Sequence, residues 1–166
     1  MPKKTKLIKS EKPIKESIKT SKKYTFYQAI GRRKEATARI RLYIIQEGEI
    51  VLKNKAIKKG DILVNYRSIE DYFPGEVYKK SYLEPFRTTN TYGRFAVSAL
   101  LEGGGLSGQL GAFIHGVSRA LEKVDKDKYR LILKKKGFLT RDSRAKERRK
   151  AGFAQKARAK KQSPKR

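Results

Sequence analysis

A chain of 166 residues with 43 Lys and Arg against 16 Asp and Glu carries a formal charge of +27, and its length suits one domain with extensions and hardly two separate cores. No stable soluble fold needs that imbalance, because self-repulsion opposes compaction; a dense polyanion is the simplest partner to require it, and a free metabolic enzyme is disfavoured. The absence of Cys removes disulfides, Cys-based zinc sites and thiol nucleophiles, one His cannot build a metal cluster, and no apolar run nears about eighteen residues, so no metal, no cofactor and no membrane contact are expected.

The first segment is a basic arm, residues 1–23, with nine Lys and two Glu. It lacks the apolar stretch of a secretory signal. Its Lys-only basicity, with Glu11 and Glu16, is unlike a transit peptide, so cytoplasmic placement is expected over an organellar one. Tyr24–Ile30 is β-prone and is expected to end at Gly31. In the predicted strand Ala36–Ile45, Ala38, Ile40, Leu42 and Ile44 fall on one face, with Arg39, Arg41 and Tyr43 on the other. Gln46-Glu47-Gly48 then turns the chain into Glu49–Lys53, which predicts a hairpin with the preceding strand. Asp61–Tyr66 reads as a short strand, and Glu76–Phe86 as a helix entered through Pro74-Gly75 and left near Pro85.

Tyr92–Leu101 alternates again, with Phe95, Val97, Ala99 and Leu101 on one side, and runs into Gly103-Gly104-Gly105. From Ser107 to Val124 the apolar residues Leu110, Phe113, Ile114, Val117, Leu121 and Val124 recur at helical spacing, leaving Gln109, Arg119 and Lys123 off the stripe. A second helix, Lys128–Lys136, is expected to end at Gly137. Residues 134–166 hold fifteen basic and two acidic residues, whereas 24–133 hold nineteen and twelve together with all nine Tyr. The chain therefore divides into the arm 1–23, a globular βα domain over 24–136 and a basic C-terminal extension over 137–166. Neither arm buries enough apolar surface to fold alone. Strands and helices mixed in this order indicate an α/β or α+β two-layer sandwich.

Four features bear on chemistry. Gly103 to Gly108 matches G-x-G-x-x-G between a strand and a helix, but Val124 is followed by more helix, with no strand ending in an acid to hold a ribose. That leaves a tight packing turn, or a loop whose amides face nucleic-acid phosphates. Arg32-Arg33-Lys34 sets three cations between two strands, where rigid presentation to phosphates loses less entropy than presentation on an arm. Arg39 and Arg41 share a sheet face, either solvated or resting on RNA. Arg141, Arg144 and Arg148 recur at helical spacing with Lys146, Arg149 and Lys150 nearby, a run polar on every side that becomes orderable opposite a polyanion. Only Phe138 and Phe153 supply aromatic faces in the extension, which disfavours sequence-reading of single strands.

Together, GRRKEATARI at 31–40, EDYFP at 70–74, GGGLSGQLGAFIHGVSRAL at 103–121 and GFLTRDSRAKERRKAG at 137–152, closed by Lys165-Arg166, resemble the small-subunit ribosomal protein S9 family over residues 24–166. The resemblance implies a compact βα sandwich like the second domain of ribosomal protein S5, with a long C-terminal extension. It implies a noncatalytic place in the head of the small subunit, on the 3′ major domain of the rRNA and beside neighbouring head proteins. Carried over by position, it implies rRNA contacts for Arg32, Arg33, Lys34, Gly103, Gly104, Gly105, Ser107, Gln109, and Arg141, Arg144, Lys146, Arg148, Arg149 and Lys150, and P-site tRNA contacts for Lys165 and Arg166. Arg39, Arg41 and Arg119 are added as rRNA-binding candidates because they sit off the apolar faces.

Three stretches depart from the family pattern: the arm 1–23, an insertion around 57–68, and Ser163-Pro164 where an aromatic-Ser step is usual. Bare charge alone fits a general nucleic-acid-binding basic protein equally well, but such a protein has no need of four ordered blocks. A nucleotide-dependent enzyme would rest on the glycine loop alone.

Overall fold

The computed structural model describes residues 24–158 apart from 47, 53–54 and 154–155. The expectations for the arm 1–23 and for the tail from 159 onward, Lys165 and Arg166 included, lie outside the described residues. Among the described residues, seven strands and four helices follow in the order β1 (Phe26–Arg33), β2 (Ala36–Tyr43), β3 (Ile50–Leu52), β4 (Lys55–Ile57), β5 (Ile62–Val64), β6 (Arg67–Ser68), α1 (Ile69–Tyr72), α2 (Glu76–Thr88), β7 (Ala96–Glu102), α3 (Leu106–Val124) and α4 (Lys126–Lys135).

A mixed five-stranded sheet runs β1-β2-β7-β5-β6, antiparallel throughout except for the parallel pair of β5 and β7. In β2, Ala36, Ala38, Ile40 and Leu42 are buried while Arg39 and Arg41 are exposed, as the alternation requires. These residues join Val97, Ala99 and Leu101 of β7 in a core shared with Leu83 and Phe86 of α2, Phe113, Val117 and Leu121 of α3, and Leu133 of α4. Helices α2, α3 and α4 therefore cover one face, and the architecture is α+β.

The seat of α3 on the sheet is made by small residues. A Cβ at Gly31 would stand 2.0 Å from the Ala112 carbonyl oxygen and 2.3 Å from the Gly116 nitrogen, and one at Gly116 would stand 2.7 Å from Ile40 Cγ1. Backbone thus meets backbone, which only glycine permits. This is also why β1 does not stop at Gly31: the strand continues to Arg33, with Gly31 paired to Ala38 and Arg33 to Ala36.

The expected hairpin of Glu49–Lys53 with the preceding strand does not form. Both edges of β2 are taken, by β1 and by β7, so Ile50–Leu52 instead pairs with Lys55–Ile57 as a separate ribbon. That ribbon covers one end of the outer sheet face and gathers Tyr43, Ile45, Ile50, Ile57 and Ala96 into a second small core. As a result Tyr43 is buried and Ile44 is 44 % exposed, the reverse of the strand-alternation reading. The stretch 57–68 supplies β5 and β6, joined by Asn65 and Tyr66 at φ 48° and 63°, the positive pair that tight hairpins favour.

Helix α2 passes through Pro85 rather than ending there, because that ring is buried in the core-facing stripe and forfeits a single N–H. Strand β7 starts at Ala96, four residues later than the pattern suggested, after a turn over 92–94. Asp125 caps α4 by accepting from the Lys128 N–H at 3.1 Å. At the other end, Gly137 N–H reaches Lys134 O and Phe138 N–H reaches Leu133 O, a Schellman closure with Gly137 at φ 77°.

A Gly31→Ala substitution must move backbone rather than a flexible tip. It is expected to lower urea-unfolding stability by about 3 kcal/mol, at or above the upper range for overpacking. By contrast, Gly105→Ser at the α3 N-cap, where a Cβ meets nothing within 4 Å, is expected to be neutral or slightly stabilising.

Candidate nucleic-acid interface

Strand β1 lies at the sheet edge, so every second residue turns its N–H and C=O outward. Helix α3 caps that row. Lys123 Nζ donates to the Gln28 carbonyl at 2.7 Å, an Arg119 guanidinium nitrogen donates to the Ile30 carbonyl at 2.5 Å, and the Arg32 N–H donates to His115 Nδ1 at 3.2 Å. The spacing 115, 119, 123 is one helix face overhanging residues 28, 30 and 32 of one strand edge. Each cation keeps donors to spare, since a guanidinium has five N–H groups and an ammonium three.

Beside this row opens a groove of about 770 Å³, lined by Arg32, His115, Arg119 and Lys123 together with Leu139 and Arg141. The residues after α4 form its far wall and are themselves tied down. Asp142 accepts from the Arg144 guanidinium at 2.8 and 2.9 Å and from the Arg144 N–H at 3.1 Å, and it sits 3.2 Å from Arg33. Arg144, and after it Arg33, hold its carboxyl well below the usual carboxylate range. The Arg33 side chain lies across α3 where Gly111 leaves room for it: a Cβ there would be 2.2 Å from Arg33 Cδ.

The residues proposed from sequence therefore separate. Arg32, Arg119 and Arg141 converge on the groove. Lys34 sits exposed at the tip of the β1–β2 turn with φ 51°. Arg33 is largely spoken for: its Nε is buried without a hydrogen-bond partner and its remaining charge faces Asp142. Arg39 and Arg41 lie on the opposite, outer face of the sheet, Arg39 paired with Glu102 at 2.6 Å and Arg41 stacked 5.2 Å from the Phe26 ring centre. Residues 141–150 form neither helix nor strand, in keeping with a run polar on every side. Within that run Lys146, Arg148, Arg149 and Lys150 are exposed, while Glu147 is gripped by Arg158 at 2.5 and 2.9 Å.

The glycine loop is first of all a packing device. Gly103 and Gly104 take φ 72° and 60°, and Cβ atoms on them would strike Glu35 O at 2.5 Å and Ala36 at 3.2 Å. Gln109 is held by donating to the Gly103 carbonyl at 3.1 Å and accepting from the Tyr72 hydroxyl at 2.8 Å. Gly105 and Ser107 stay exposed at the start of α3.

His115 and Lys123 belong to the groove although neither was proposed from sequence as a binding residue. The available signal was their i, i+4, i+8 spacing with Arg119, which has no meaning until the facing strand edge is known. Burial, then the charge of Arg119, holds the His115 imidazole below its ordinary range, and Arg141 acts in the same direction. With Nδ1 accepting a hydrogen bond, the ring is neutral with its proton on Nε2. As pH falls past about 6.5 the unfolded chain takes up a proton that the folded ring resists, so stability is lost across that interval and levels off once the folded ring is protonated. Replacing His115 by Asn keeps an acceptor for the Arg32 N–H. The variant is expected to lose this component, its urea midpoint falling less between pH 7.5 and 5.5 than that of the parent.

Comparison with known proteins gives a consistent result. The family model described as Ribosomal protein S9/S16 matches residues 31–166. The small ribosomal subunit protein uS9 of Rickettsia canadensis is 41 % identical over 171 aligned positions, covering 96 % of this chain and 97 % of the relative. That of Rickettsia felis is 45 % identical over 155 positions, covering 93 % and 85 %. These matches take in part of the arm 1–23, which the family model leaves out.

Proposed function

We infer the role of the chain from its family: it belongs to the ribosomal protein S9 family, whose members are structural, non-enzymatic components of the small ribosomal subunit and bind its rRNA. The chain is accordingly a ribosomal component, and no helix among the described residues is long and apolar enough to cross a membrane. Within that role, the groove at the β1 edge is the seat for rRNA phosphates of the subunit head, in the 3′ major domain. The carrying observation is the convergence of Arg32, Arg119, Lys123 and Arg141 on one open groove, two of them already immobilised by hydrogen bonds to β1. Cations held in place bind phosphate with less loss of side-chain entropy than free ones do.

The finer reading follows the family pattern. The globular part takes the fold of the second domain of ribosomal protein S5. The extension over 137–166, whose charge far exceeds its apolar content, orders against rRNA as it displaces counterions. Lys165 and Arg166 reach the P-site tRNA backbone, where an Arg fork clasps phosphate without reading bases. Neighbouring head proteins pack against the remaining surface, in cytoplasmic ribosomes.

Sedimentation of tagged protein from lysate, at low and then high salt, tests the assignment. A diffuse contact with ~6–10 phosphates loses roughly 10³–10⁵ in affinity between 50 and 200 mM salt, whereas the chain is expected to stay in the small-subunit peak. Release to the top fractions would favour the general nucleic-acid binder. The groove is tested by Arg32→Ala, Arg119→Ala and Arg141→Ala combined. Affinity for the head-domain rRNA should fall, and the salt slope should flatten by about 1 for each lost phosphate contact; an unchanged slope would place the phosphates elsewhere. Deleting Lys165 and Arg166 is expected to leave assembly intact and to weaken P-site tRNA retention, and a block in assembly would overturn that division of labour.

A further inference from the structure

The two edges of the sheet differ in chemistry. Residues 61–88, which build the β6 edge with α1 and α2, carry five acids (Asp61, Glu70, Asp71, Glu76, Glu84) against four bases (Arg67, Lys79, Lys80, Arg87), in a chain whose net charge is +27. Between β5, α1 and α2 lies a cleft of about 430 Å³ whose walls include Ile69, Leu83, Phe86 and Phe95. Asp61 and Glu70 line it and are exposed, and the one cation that lines it, Lys79, is already 2.7 Å from Glu70. Two cations of the flanking segments are also engaged, Lys58 with Glu49 and Arg94 with the Tyr129 hydroxyl.

Tyr82 also lines this cleft. As a residue it is only 2 % exposed, yet its hydroxyl is not among the described side-chain polar atoms that are both buried and unpaired, so it opens onto the cleft. A side chain inserted there would cover that hydroxyl, so a polar atom on the inserted segment that pairs with it avoids a desolvation cost. Next to it Tyr92 is 67 % exposed. An apolar recess, a hydroxyl opening onto it and carboxylates around it make a socket rather than a solvated surface.

We propose that this cleft receives an apolar side chain from a basic segment of a neighbouring protein, whose flanking Lys or Arg residues meet Asp61 and Glu70 while the Tyr82 hydroxyl pairs with a polar atom of the inserted segment. The proposal rests on the chain's place in a ribonucleoprotein particle, where the other proteins that pack on RNA carry excess cations for the same reason as this one. Charge favours a basic segment over RNA as the occupant, because the two carboxylates that line the cleft outnumber its one lysine, which is itself paired with Glu70. Geometry agrees: β1 and β6 are the two outer strands of the sheet, so RNA held at the β1 edge leaves the β6 edge open. Strand β6 is itself two residues long, too short an edge to recruit a partner by strand addition, which leaves side-chain insertion as the mode of docking.

Photo-crosslinking in the assembled particle tests this. The full chain, with photoreactive benzoylphenylalanine in place of the exposed Tyr92, is incorporated into small subunits, purified through the gradient and irradiated, and the linked peptides are identified by mass spectrometry. The expected product is a link to a protein segment in which an apolar residue is flanked by Lys or Arg. Its yield should fall about 2- to 30-fold when Asp61→Asn and Glu70→Gln remove the two charges, and about 2- to 10-fold for Tyr82→Phe, which keeps the ring and the packing. Links only to rRNA, to residues 1–23 of the same chain or to an acidic segment would overturn the proposal. So would the absence of any link from a chain that sediments with the subunit. If the chain does not enter the subunit peak, the ribosomal reading fails first and the proposal goes with it; the gradient separates that case from failure of the cleft alone.

Discussion

The close approach of Gly31 to Ala112 and Gly116 is the constraint on which the rest of the molecule depends. It lets α3 lie with its backbone against β1 and β2, nearer than any side chain would allow. Once there, Phe113, Val117 and Leu121 bury themselves over the sheet, and the next face of the helix overhangs the β1 edge. The same seating brings Gly111 under Arg33, and with Gly103 and Gly104 it nests the start of α3 against the β1–β2 turn. Five glycines thus act together, some by conformational freedom and some by lack of bulk.

From that seating follows the use made of the sheet edge. An uncovered edge strand invites pairing with another chain. Here the outward carbonyls of Gln28 and Ile30 are closed by Lys123 and Arg119, and the outward N–H of Arg32 is closed by His115. Protection by cations also leaves a fixed positive rim, so the device that blunts the edge is the one that forms the groove. His115 contributes by being neutral, which spares the groove a third, mutually repelling charge on the α3 face. Arg33 is the counterexample: its guanidinium is committed to Asp142 and does not line the groove.

Charge is unevenly used across the fold. At the β1 edge, acids are few and Asp142 is consumed in holding Arg33 and Arg144. At the β6 edge, carboxylates outnumber cations and surround an apolar cleft. A protein packed into folded RNA needs both kinds of surface, one to neutralise phosphate and one that phosphate avoids.

Local pattern carried a good part of this. The alternation of β2, the helical periodicity of α3, the stop at Gly137 and the basic link after Gly31 are properties of neighbouring residues, and they were legible without coordinates. The four motif blocks identified the family for the same reason, because each is a short contiguous string. What the sequence left open was decided by partners distant along the chain. Tyr43 and Ile44 exchanged places because the ribbon of β3 and β4 covers the outer face there. Gly31 did not end a strand because a helix some eighty residues later required its missing Cβ. Arg33, Arg119 and Lys123 read alike as cations in sequence; the tertiary structure made one a half-buried strut and two the rim of a groove, since a side chain's availability depends on which backbone and which opposite charges lie within its reach.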